Sequence, residues 1–599
     1  MEEKKYKKFN IIEGLWGIIY TFVLFYFTYL ILDDYFIENL SFFGYLLTNR
    51  LRIYLFVGFI IMLSIFFIIK SLIKDNFKTN VVLTIIVLII TFISYYKFKA
   101  LELPFMPTDI LLVGNAGEIA SFGLTFPSIS AIVILVLIIT ILVLQKIIRK
   151  KYYQKEKISL KTDWYRIPLF IIGIIALYNI CIAPNRFEKL GLENNLGNNY
   201  YWMGGNGVFF MHLGDLYYPV PNNYNQETIS KMEEETQIQD IANKDNPNVI
   251  YIMNESFADP NKIENVSYSV NPLQNIDKLK EEKNCIYGRT ITPVLGGGTS
   301  LPEFEALTGL SSYYIEKQIF PYTSYITDDM NSIVRVYNNN EYTTIGIHPN
   351  TETFYNRKDV YKYLGFEETI FLEDMENPEM KAEKVSDNEF ADQIIKAYEK
   401  TQGKKFIFGV TMQNHMPYKG NLYENYDIEV DTNELDDNTK QELKNYVQGI
   451  YDSDQMYMKL VNYFKNTDEP TILVMFGDHL PSISGFGLYK NSNFSSLDYY
   501  ITPYIIWANY DIEEKDISSY MSPSYLSINL LKMSNIQLPW YLQKFEELYI
   551  NYPAINNNFV INKDGSVLKI EKIKNEDLVN DCRILQYDLL IKKKYIQIQ

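Results

Sequence analysis

The chain has 599 residues, a hydrophobic fraction of 47% and a formal net charge of −16. This length exceeds that of one ordinary domain, and the acidic balance argues against nucleic-acid binding, which requires clustered lysine and arginine. The three cysteines, Cys181, Cys285 and Cys582, form no CxxC pair, which argues against a zinc knuckle or a redox pair. No GxxxxGK[ST] phosphate loop occurs, so no nucleotide partner is expected.

The first third of the chain contains five predominantly apolar runs that approach the roughly 20 residues needed to cross a bilayer. They cover residues 11–32, 53–73, 80–96, 131–148 and 167–183. Five such runs in succession, with lysine and arginine at their ends, are typical of transmembrane helices. The sequence therefore predicts a five-span transmembrane domain over residues 1–184. The first run is too long for a signal peptide and no A-x-A site follows it, so we expect it to be retained.

Lysine and arginine also predict the orientation of these spans. The N-terminus, the 74–79 loop and the 149–166 loop are basic and lie on one side if five spans alternate. Basic loops lie on the cytoplasmic side. We therefore expect a multi-pass protein of the cell membrane with a cytoplasmic N-terminus and with everything after Pro184 outside the cell.

A linker rich in Asn, Gly and Tyr is predicted over residues 185–246, and it closes with the helical stretch QETISKMEEETQIQDIA. From Asn248 onward, short β-branched runs alternate with helical patterns. The strand candidates are NVIYIM, TTIGI, FIFGVTM, TILVMF and PYIIWA, and helical patterns cover 387–400 and 438–465. This alternation indicates an α/β domain with a largely parallel sheet. We expect that domain over residues 247–540, with residues 541–599 as its C-terminal extension.

Three of the four histidines follow apolar, β-branched runs, which is a biased placement for so rare a residue. His348 directly follows TTIGI, His415 is the last residue of FIFGVTMQNH, and His479 is the last residue of TILVMFGDH. In parallel α/β folds the loops at the carboxyl ends of the strands carry the chemistry. The sequence therefore predicts one polar cleft that is competent to bind a metal.

Four residues at strand ends or in a glycine-rich loop are candidate metal ligands. They are Glu255, Thr299, Asp478 and His479. Two carboxylates, an imidazole and a hydroxyl form a donor set suited to Mn²⁺, Mg²⁺ or Zn²⁺. A single glutamate after a strand is more often a cap or a surface charge, so the prediction depends on the combination.

The glycine run before Thr299 has a definite structural use. Gly296, Gly297 and Gly298 allow positive φ angles and close approach of the backbone to a ligand. The following LPEFEALTG is typical of a helix whose N-cap is Thr299 or Ser300, and a helix N-terminus attracts anions. A threonine hydroxyl is a weak nucleophile that metal coordination can activate. A flexible loop followed by a helix cap is the alternative interpretation.

Five motifs in chain order resemble those of the lipoteichoic acid synthase family, in the sulfatase-like branch of the alkaline phosphatase superfamily. The motifs are NVIYIMNES, GGGTSLPEFEALTG, HPNTETFYNRKDVYKYLGF, VTMQNHMPY and FGDHLP. They run from about 248 to 484, the five spans fit the family's architecture, and CRILQYDLL at 582–590 resembles the ending of such proteins. The resemblance implies an extracytoplasmic, sulfatase-like α/β/α sandwich domain after the transmembrane helices.

The resemblance also implies a role for each matching position. Thr299 is expected to be the nucleophile and a metal ligand, with Mn²⁺ as the metal. The residues expected to hold Mn²⁺ with it are Glu255, Asp478 and His479, and those expected to bind phosphoglycerol are His348, Tyr355, Arg357 and His415. Family members often have Trp at the position of Tyr355. Ser482 matches a recurrent serine after the Asp-His pair, although its spacing differs from that of the best-known members.

The expected reaction transfers glycerol phosphate from phosphatidylglycerol, a membrane lipid donor, to a glycolipid or a growing polymer through a phospho-threonine intermediate. Two alternatives remain: transfer of phosphoethanolamine or phosphoglycerol onto another cell-envelope glycan, and a non-catalytic scaffold on the same fold. Sulfate-ester hydrolysis is disfavoured. Cys285 and Arg289 have the spacing of a sulfatase Cys-x-Pro-x-Arg motif, but the proline is missing and CIYGRTI is typical of a strand.

Overall fold

The computed structural model describes residues 2–31, 49–73, 75–101, 104–107, 109–110, 129–152, 165–183, 186–192, 196–236, 246–315, 319–484, 487–490, 494–512 and 518–598. The chain divides into two compact units, Met1–Tyr217 and Tyr218–Gln599. This division falls inside the segment that the sequence identifies as a linker, so the finer domain boundaries given above stay predictions.

All regular structure among the described residues of the first unit is helical. Its helices are α1 (Glu2–Ile31), α2 (Asn49–Leu72), α3 (Asn76–Leu101), α4 (Ile129–Tyr152), α5 (Arg166–Leu177), α6 (Arg186–Leu190) and α7 (Leu196–Met211). Helices satisfy their own backbone hydrogen bonds, which is a requirement for crossing a bilayer. This unit therefore has the architecture that its apolar sequence predicts.

Four of the five predicted spans form helices that are long and apolar enough to cross a membrane. They contain Ile12–Tyr29, Ile53–Leu72, Asn76–Phe98 and Ala131–Lys150. The fifth run forms a shorter apolar helix, Arg166–Ile182, whose last turn widens into a π-helical turn at Tyr178–Ile182. The structure thus gives four spans by length and a fifth apolar helix at the lower limit of the range.

Two kinds of contact hold the helices of this unit together. Gly173 lets α5 approach α2, because a Cβ atom at this position would lie 2.9 Å from the Ser64 carbonyl oxygen. Arg149 of α4 forms ion pairs with Glu13 of α1 (Nε to Oε1, 2.6 Å) and with Asp75 (Nη1 to Oδ1, 2.7 Å). Arg149 thereby joins α4 by charge to α1 and to the turn between α2 and α3.

The second unit is built on an eight-stranded mixed sheet. The strands of the unit are β1 (Asn248–Asn254), β2 (Ser267–Tyr268), β3 (Cys285–Ile291), β4 (Tyr342–His348), β5 (Glu368–Phe371), β6 (Met380–Lys381), β7 (Lys384–Val385), β8 (Lys404–Val410), β9 (Val430–Asp431), β10 (Thr471–Gly477), β11 (Ile501–Ala508), β12 (Tyr520–Met521), β13 (Ala554–Ile555), β14 (Val560–Ile561) and β15 (Val567–Leu568). The order in the large sheet is β12-β3-β11-β10-β1-β8-β4-β5. All five predicted strands are confirmed, and CIYGRTI is strand β3.

The sheet is parallel from β10 through β1, β8 and β4 to β5, whereas β11 is antiparallel to both of its neighbours. Helices cover both of its faces. They are α8 (Gln226–Glu235), α9 (Gln274–Leu279), α10 (Ser300–Thr308), α11 (Pro321–Ser324), α12 (Ile333–Asn338), α13 (Arg357–Leu364), α14 (Asp387–Lys400), α15 (Asp437–Phe464), α16 (Gly487–Lys490), α17 (Pro523–Met533), α18 (Trp540–Asn551) and α19 (Asp577–Tyr587). The helical patterns at 387–400 and 438–465 correspond to α14 and α15, and the stretch that closes the linker corresponds to α8. Residues 237–242 of that stretch lie outside the described residues.

Alternate residues of the central strand face two different hydrophobic cores, as the period of two in a β-strand requires. Val249, Tyr251 and Met253 of β1 lie in one core, and Ile250 and Ile252 lie in the other. Because both faces are covered, the strands contain continuous apolar runs rather than an alternating pattern. Side chains of the C-terminal extension belong to the first of these cores, including Leu542, Val579 and Leu585. The unit is therefore an α/β sandwich with a mixed, largely parallel sheet.

Candidate active site

The candidate site lies where four adjacent strands end. Glu255 follows β1, Asp478 and His479 follow β10, His348 is the last residue of β4, and His415 lies in the loop after β8. Asn254 and Gly477 are paired neighbours at the ends of β1 and β10, so the residues that follow them leave the sheet side by side. The structure thus brings the predicted strand-end residues to one edge of the sheet.

Three of the four predicted metal ligands form one buried cluster. One ligand atom from each of Glu255, Asp478 and His479 lies within 4.8 Å of the others. His479 Nε2 is 3.6 Å from Glu255 Oε1 and 3.3 Å from Asp478 Oδ2. Within the described part of the chain, neither His479 Nε2 nor Asp478 Oδ2 has a hydrogen-bond partner. Buried polar atoms rarely lack a partner, so these two atoms are free to bind a ligand in the cluster.

Backbone and hydroxyl groups fix the orientation of the three side chains. Asp478 Oδ1 accepts hydrogen bonds from the backbone N–H groups of Ser256 (2.7 Å) and His479 (2.8 Å). The Ser256 hydroxyl donates to Glu255 Oε1 (3.0 Å). His479 Nδ1 lies 3.0 Å from the Leu480 carbonyl oxygen, which accepts its proton and leaves Nε2 as the free nitrogen. Each side chain therefore presents its remaining atom to the shared space.

The electrostatics of the cluster favour a bound cation. Burial opposes ionisation of Glu255, but His415, His479 and hydrogen-bonding hydroxyls outweigh it and lower the pKa of Glu255. Burial and the charge of Glu255 raise the pKa of Asp478 well above its usual range. Burial lowers the pKa of His479, which keeps the imidazole neutral. A divalent cation would stabilise both carboxylates in their charged form, and a neutral imidazole is the form that binds metal. The residues present therefore fit such an ion.

Thr299 points into this cluster from the glycine loop. Gly296, Gly297 and Gly298 all have positive φ angles, of 65°, 144° and 86°, as the sequence predicts for this loop. Thr299 occupies the N-cap position of α10, yet its side chain makes no capping hydrogen bond. Its hydroxyl instead donates to Glu255 Oε2 at 3.2 Å. The glycine loop thus delivers a buried threonine hydroxyl to the carboxylate cluster.

His348 and Arg357 form a connected pair next to the cluster. Arg357 Nη1 donates to His348 Nε2 at 3.1 Å, and His348 Nδ1 lies 3.3 Å from the Val410 carbonyl oxygen. Burial, followed by the charge of Arg357, lowers the pKa of His348 well below its usual range. His348 is therefore a neutral imidazole. Arg357 donates to its Nε2, and the Val410 carbonyl oxygen accepts from its Nδ1.

Glu303, which the sequence analysis does not identify, is the main partner of Arg357. Its carboxylate accepts hydrogen bonds from Arg357 Nη2 (2.7 Å) and Nε (3.1 Å), and from the Tyr361 hydroxyl (2.7 Å). Both members of this ion pair have fully buried side chains. Glu303 lies four residues after Thr299 on α10. The sequence points to Glu303 only through its position one helical turn after Thr299. Its pairing with Arg357 of α13 depends on the fold and is not visible in the sequence.

The other predicted residues take different positions around the cluster. His415 Nδ1 lies 2.7 Å from the Met416 carbonyl oxygen, and burial lowers the pKa of His415. Tyr355 has a positive φ of 54°, which is rare for a residue with a side chain, and its ring faces the Arg357 guanidinium at 5.3 Å. The hydroxyl oxygen of Ser482 is buried and has no hydrogen-bond partner within the described residues. Cys285 is the first residue of β3, and Arg289 lies four residues further along the same strand. Cys285 is a free cysteine.

Comparison with known proteins identifies the second unit. Residues 247–536 match the Sulfatase family model. A Rhizobium meliloti (strain 1021) protein named for cyclic beta-1,2-glucan modification is 26% identical over 566 residues, which cover 90% of this chain and 86% of the relative. Lipoteichoic acid synthase 2 of Bacillus subtilis (strain 168) is 22% identical over 429 residues, covering 67% of this chain and 61% of the relative.

A solved structure shares the fold. The phosphoglycerol transferase GacH of Streptococcus pyogenes, in complex with sn-glycerol-1-phosphate, superposes with a TM-score of 0.54 at 24% identity. The match covers 64% of this chain and 100% of that chain. The predicted resemblance is therefore confirmed: residues 247–536 form a sulfatase domain, the fold is shared with a phosphoglycerol transferase, and the chain is similar to lipoteichoic acid synthase 2.

Proposed function

We propose that this protein is a membrane-bound transferase that moves glycerol phosphate from phosphatidylglycerol to a glycolipid or a growing polymer. The observation that carries the proposal is the hydrogen bond of 3.2 Å from the Thr299 hydroxyl to Glu255, beside Asp478 and His479. A buried hydroxyl that faces a carboxylate cluster at a helix N-terminus is the arrangement expected of a nucleophile that attacks phosphorus.

The proposed reaction has two displacement steps. In the first, Thr299 Oγ1 forms a bond to phosphorus, its proton passes to a neighbouring base, and the phosphorus–oxygen bond to diacylglycerol breaks. The diacylglycerol oxygen gains a proton, and His415 is the residue that we propose as the proton donor. In the second, an acceptor hydroxyl loses its proton and forms the new phosphorus–oxygen bond, the bond between phosphorus and Thr299 Oγ1 breaks, and Thr299 regains its proton. No oxidant, reductant or nucleotide is needed.

Glu255, Thr299, Asp478 and His479 are the proposed ligands of a divalent cation, with Mn²⁺ proposed and Mg²⁺ or Zn²⁺ as alternatives. When bound, the cation supplies positive charge against the transferring phosphoryl group. The orphaned atoms of Asp478 and His479 support this assignment, because a cation completes the coordination that the protein leaves open.

His348, Tyr355, Arg357 and His415 are the proposed binding residues for the phosphoglycerol group. Glu303 accepts hydrogen bonds from Nε and Nη2 of Arg357, and Nη1 donates to His348 and to the Phe354 carbonyl oxygen. We propose that the phosphoglycerol group binds on the His348 side of this guanidinium. The Arg357 charge is fixed in position by this ion pair before substrate arrives. Preorganised charge of this kind stabilises a transition state without reorganisation.

The proposed donor requires that the catalytic unit lies outside the cell. A phosphatidylglycerol molecule in the outer leaflet reaches Thr299 only if the segment after Pro184 is extracytoplasmic, as the distribution of lysine and arginine predicts. The four long apolar helices support membrane insertion of the first unit.

A second candidate acceptor is a cell-envelope glucan. The relative named for cyclic beta-1,2-glucan modification covers 90% of this chain at 26% identity, a longer match than that to lipoteichoic acid synthase 2. Transfer of phosphoglycerol or phosphoethanolamine to a glucan uses the same nucleophile and changes only the acceptor. A non-catalytic scaffold is disfavoured, because all four proposed metal ligands and the glycine loop are present together.

One experiment tests the proposal and separates the two acceptors. Purified full-length protein is incubated with phosphatidylglycerol or phosphatidylethanolamine labelled in the headgroup, together with a glycolipid or a cyclic glucan. We expect the label of phosphatidylglycerol to move to an acceptor, and diacylglycerol to be released in equal amount. If neither headgroup label leaves its lipid in the presence of Mn²⁺, the transferase proposal is wrong.

A further inference from the structure

Asp387 carries a buried carboxyl group that the proposed reaction does not use. It is the first residue of helix α14, and its side chain is fully buried. Its Oδ2 accepts a hydrogen bond from the hydroxyl of Ser453 on α15, whereas its Oδ1 has no hydrogen-bond partner among the described residues. A buried carboxylate with an unpaired oxygen is costly, which favours the neutral acid.

A chain of hydrogen bonds leads from Ser453 to the candidate active site. The Ser453 hydroxyl lies 3.4 Å from Asn254 Oδ1, and the same oxygen accepts a hydrogen bond from the Thr411 hydroxyl at 2.9 Å. Thr411 Oγ1 in turn accepts from the Glu255 backbone N–H at 3.0 Å. All of these side chains are buried. Asp387 is therefore connected to Glu255 through three side chains.

Asn254 is the junction of this chain, because its backbone also contacts the second loop that carries proposed metal ligands. It is the last residue of β1, and its carbonyl oxygen accepts from the Asp478 backbone N–H at 3.4 Å. Its Nδ2 faces the Met475 sulfur at 3.3 Å, which is a weak acceptor. The orientation of the Asn254 amide therefore depends on the hydroxyl groups that donate to Oδ1.

The proton on Asp387 decides where the Ser453 hydroxyl points. A hydroxyl group has one hydrogen to donate. When Asp387 is ionised, Ser453 donates this hydrogen to Asp387 Oδ2, and none remains for Asn254. When Asp387 is neutral, its own O–H donates to Ser453 Oγ, and the Ser453 hydrogen is free to donate to Asn254 Oδ1. Only the neutral acid therefore completes the chain as far as Glu255.

The groups around Asp387 place its ionisation near neutral pH. Burial is the largest influence and opposes ionisation, as does the charge of Asp452 on α15, whereas the Ser453 hydrogen bond and the charge of Lys381 on β6 favour it. Together they raise the pKa of Asp387 from 3.8 to about 7. Tyr423, in the loop after β8, also faces this carboxyl group. Burial raises the pKa of Tyr423, so its hydroxyl stays neutral at this pH.

The backbone of Asp387 is anchored independently of its side chain. Its N–H donates to Gln413 Oε1 at 2.7 Å, and Gln413 Nε2 donates to Asp452 Oδ2 at 2.6 Å. Gln413 lies in the loop after β8, which also contains Thr411 and His415. Because these contacts do not involve the carboxyl group of Asp387, a substitution of that group leaves the loop attached to α14.

We propose that Asp387 is a positioning residue whose neutral form orients Asn254 and the Glu255 backbone for the reaction. The inference rests on the proposed transferase function and deepens it, because it names a group outside the site that controls the placement of Glu255. Turnover is expected to fall as the pH rises and Asp387 ionises, because the hydrogen bond from Ser453 to Asn254 is then lost.

The test measures kcat for labelled phosphatidylglycerol in the full-length protein between pH 6 and pH 8. Asp387→Asn keeps the shape of the side chain and donates permanently from Nδ2 to Ser453. At pH 8 a group with a pKa of about 7 is only about one-tenth neutral. We therefore expect the ratio of the variant kcat to the wild-type kcat to be about 1 at pH 6 and to rise at least about 5-fold by pH 8, with KM unchanged. The ratio cancels the titration of other groups.

Two further variants complete the comparison. Ser453→Ala cannot complete the chain, so we expect it to be at least about 5-fold slower than the wild type at pH 6 and to lose most of this deficit at pH 8. Asp454→Asn is the matched control, since Asp454 is a buried aspartate on the same helix with a pKa raised by burial to about 6. Asp454 accepts hydrogen bonds from the backbone N–H groups of Asn275 and Ile276. Its kcat ratio to the wild type is expected to stay constant with pH.

Hydrogen exchange of the Glu255 amide gives a readout that does not need turnover. This N–H donates to Thr411 at the end of the chain. We expect it to exchange equally in the wild type and in Asp387→Asn at pH 6, and several-fold faster in the wild type at pH 8. A protein in which Asp387 has only a structural role does not show this dependence on pH.

Each other outcome overturns the inference. It is wrong if the kcat ratio of Asp387→Asn does not change with pH, if Asp454→Asn shows the same change, or if only KM responds. If Asp387→Asn does not fold, Ser453→Ala decides, and a deficit that is equal at pH 6 and pH 8 overturns the inference. If the wild type releases no diacylglycerol, the proposed function fails and exchange of the Glu255 amide decides the role of Asp387 by itself. Equal exchange in the wild type and Asp387→Asn at both pH values then overturns it.

Discussion

Two buried glutamates on helix α10 are expected to respond with opposite signs to the same substitution. Glu303 and Glu305 both have fully buried side chains. Glu303 is ion-paired with Arg357 and accepts a further hydrogen bond from Tyr361. Glu305 accepts one backbone hydrogen bond, from Ser312 at 2.7 Å, and burial raises its pKa from 4.5 to about 8. Glu303 is therefore the counter-charge of Arg357, whereas burial stabilises Glu305 in its neutral form.

The magnitudes follow from these surroundings. Glu303→Gln leaves the buried guanidinium of Arg357 without a counter-charge, which costs about 3–5 kcal/mol of unfolding free energy. The neutral form of Glu305 is favoured in the folded state, so its contribution to stability is complete below pH 4.5 and is lost as the pH rises towards 8. Each pH unit between these values removes about 1.4 kcal/mol. Glu305→Gln, which stays neutral, is therefore expected to stabilise the protein at pH 7 by a few kcal/mol.

Hydrogen exchange of the α10 and β4 amides in the full-length protein measures both effects. Glu303→Gln is expected to speed exchange, and the double substitution Glu303→Leu with Arg357→Met is expected to restore most of the protection, because it removes both buried charges. Glu305→Gln is expected to slow exchange at pH 7 and to have little effect at pH 4.5. If both single variants change protection in the same direction at pH 7, our assignment of charge to the two glutamates is wrong.

Three further predictions test the proposed chemistry and topology. Thr299→Ala is expected to lower lipid turnover at least about 1,000-fold and to abolish trapping of labelled phosphoglycerol on the protein. Hydrogen exchange of the variant is expected to stay normal, and near-normal turnover refutes the nucleophile assignment. Chelation is expected to stop turnover, and Mn²⁺ is expected to restore it. His479→Ala is expected to weaken metal binding, as measured by metal analysis of the purified protein. Full metal occupancy in the Glu255→Ala, His479→Ala double variant contradicts the proposed metal site. In a background without the three native cysteines, a cysteine within residues 430–440 is expected to react with an impermeant thiol reagent on intact cells. One at Lys157, which lies outside the described residues, is expected to react only after lysis, and the reverse pattern refutes the topology.

The sequence predicts the fold well because its strongest signals are local. Strands that are covered on both faces need continuous apolar β-branched runs, and membrane helices need long apolar ones, so both are visible in single segments. The fifth apolar run gives a weaker signal for a membrane span, because Arg166–Ile182 is close to the minimum length and ends in a π-helical turn. The antiparallel direction of β11 is not visible, since strand composition does not reveal which neighbours a strand pairs with.

The candidate site shows the same division between local and non-local information. Residues that follow strands, such as Glu255, Asp478 and His479, are predictable because parallel strands deliver their ends to one edge. Glu303 is not, because its importance depends on Arg357, which lies 54 residues further along the chain on another helix. Arg289 is a similar case. In the sequence it belongs to the Cys-to-Arg spacing of a sulfatase motif, whereas its position in the wall of a cavity depends on the pairing of β3 with β11.

The charge on Arg357 connects the buried core to the proposed substrate. Because Glu303 and Tyr361 fix the guanidinium, Nη1 and His348 are held in one orientation in the absence of substrate. A phosphate that binds there gains the interaction without the entropy cost of ordering a long side chain. Arg357→Lys is therefore expected to reduce turnover more than Tyr355→Phe, since an ammonium group cannot bridge Glu303 and His348 at the same time. Equal turnover in these two variants, measured with labelled phosphatidylglycerol, contradicts the proposed role of the fixed guanidinium.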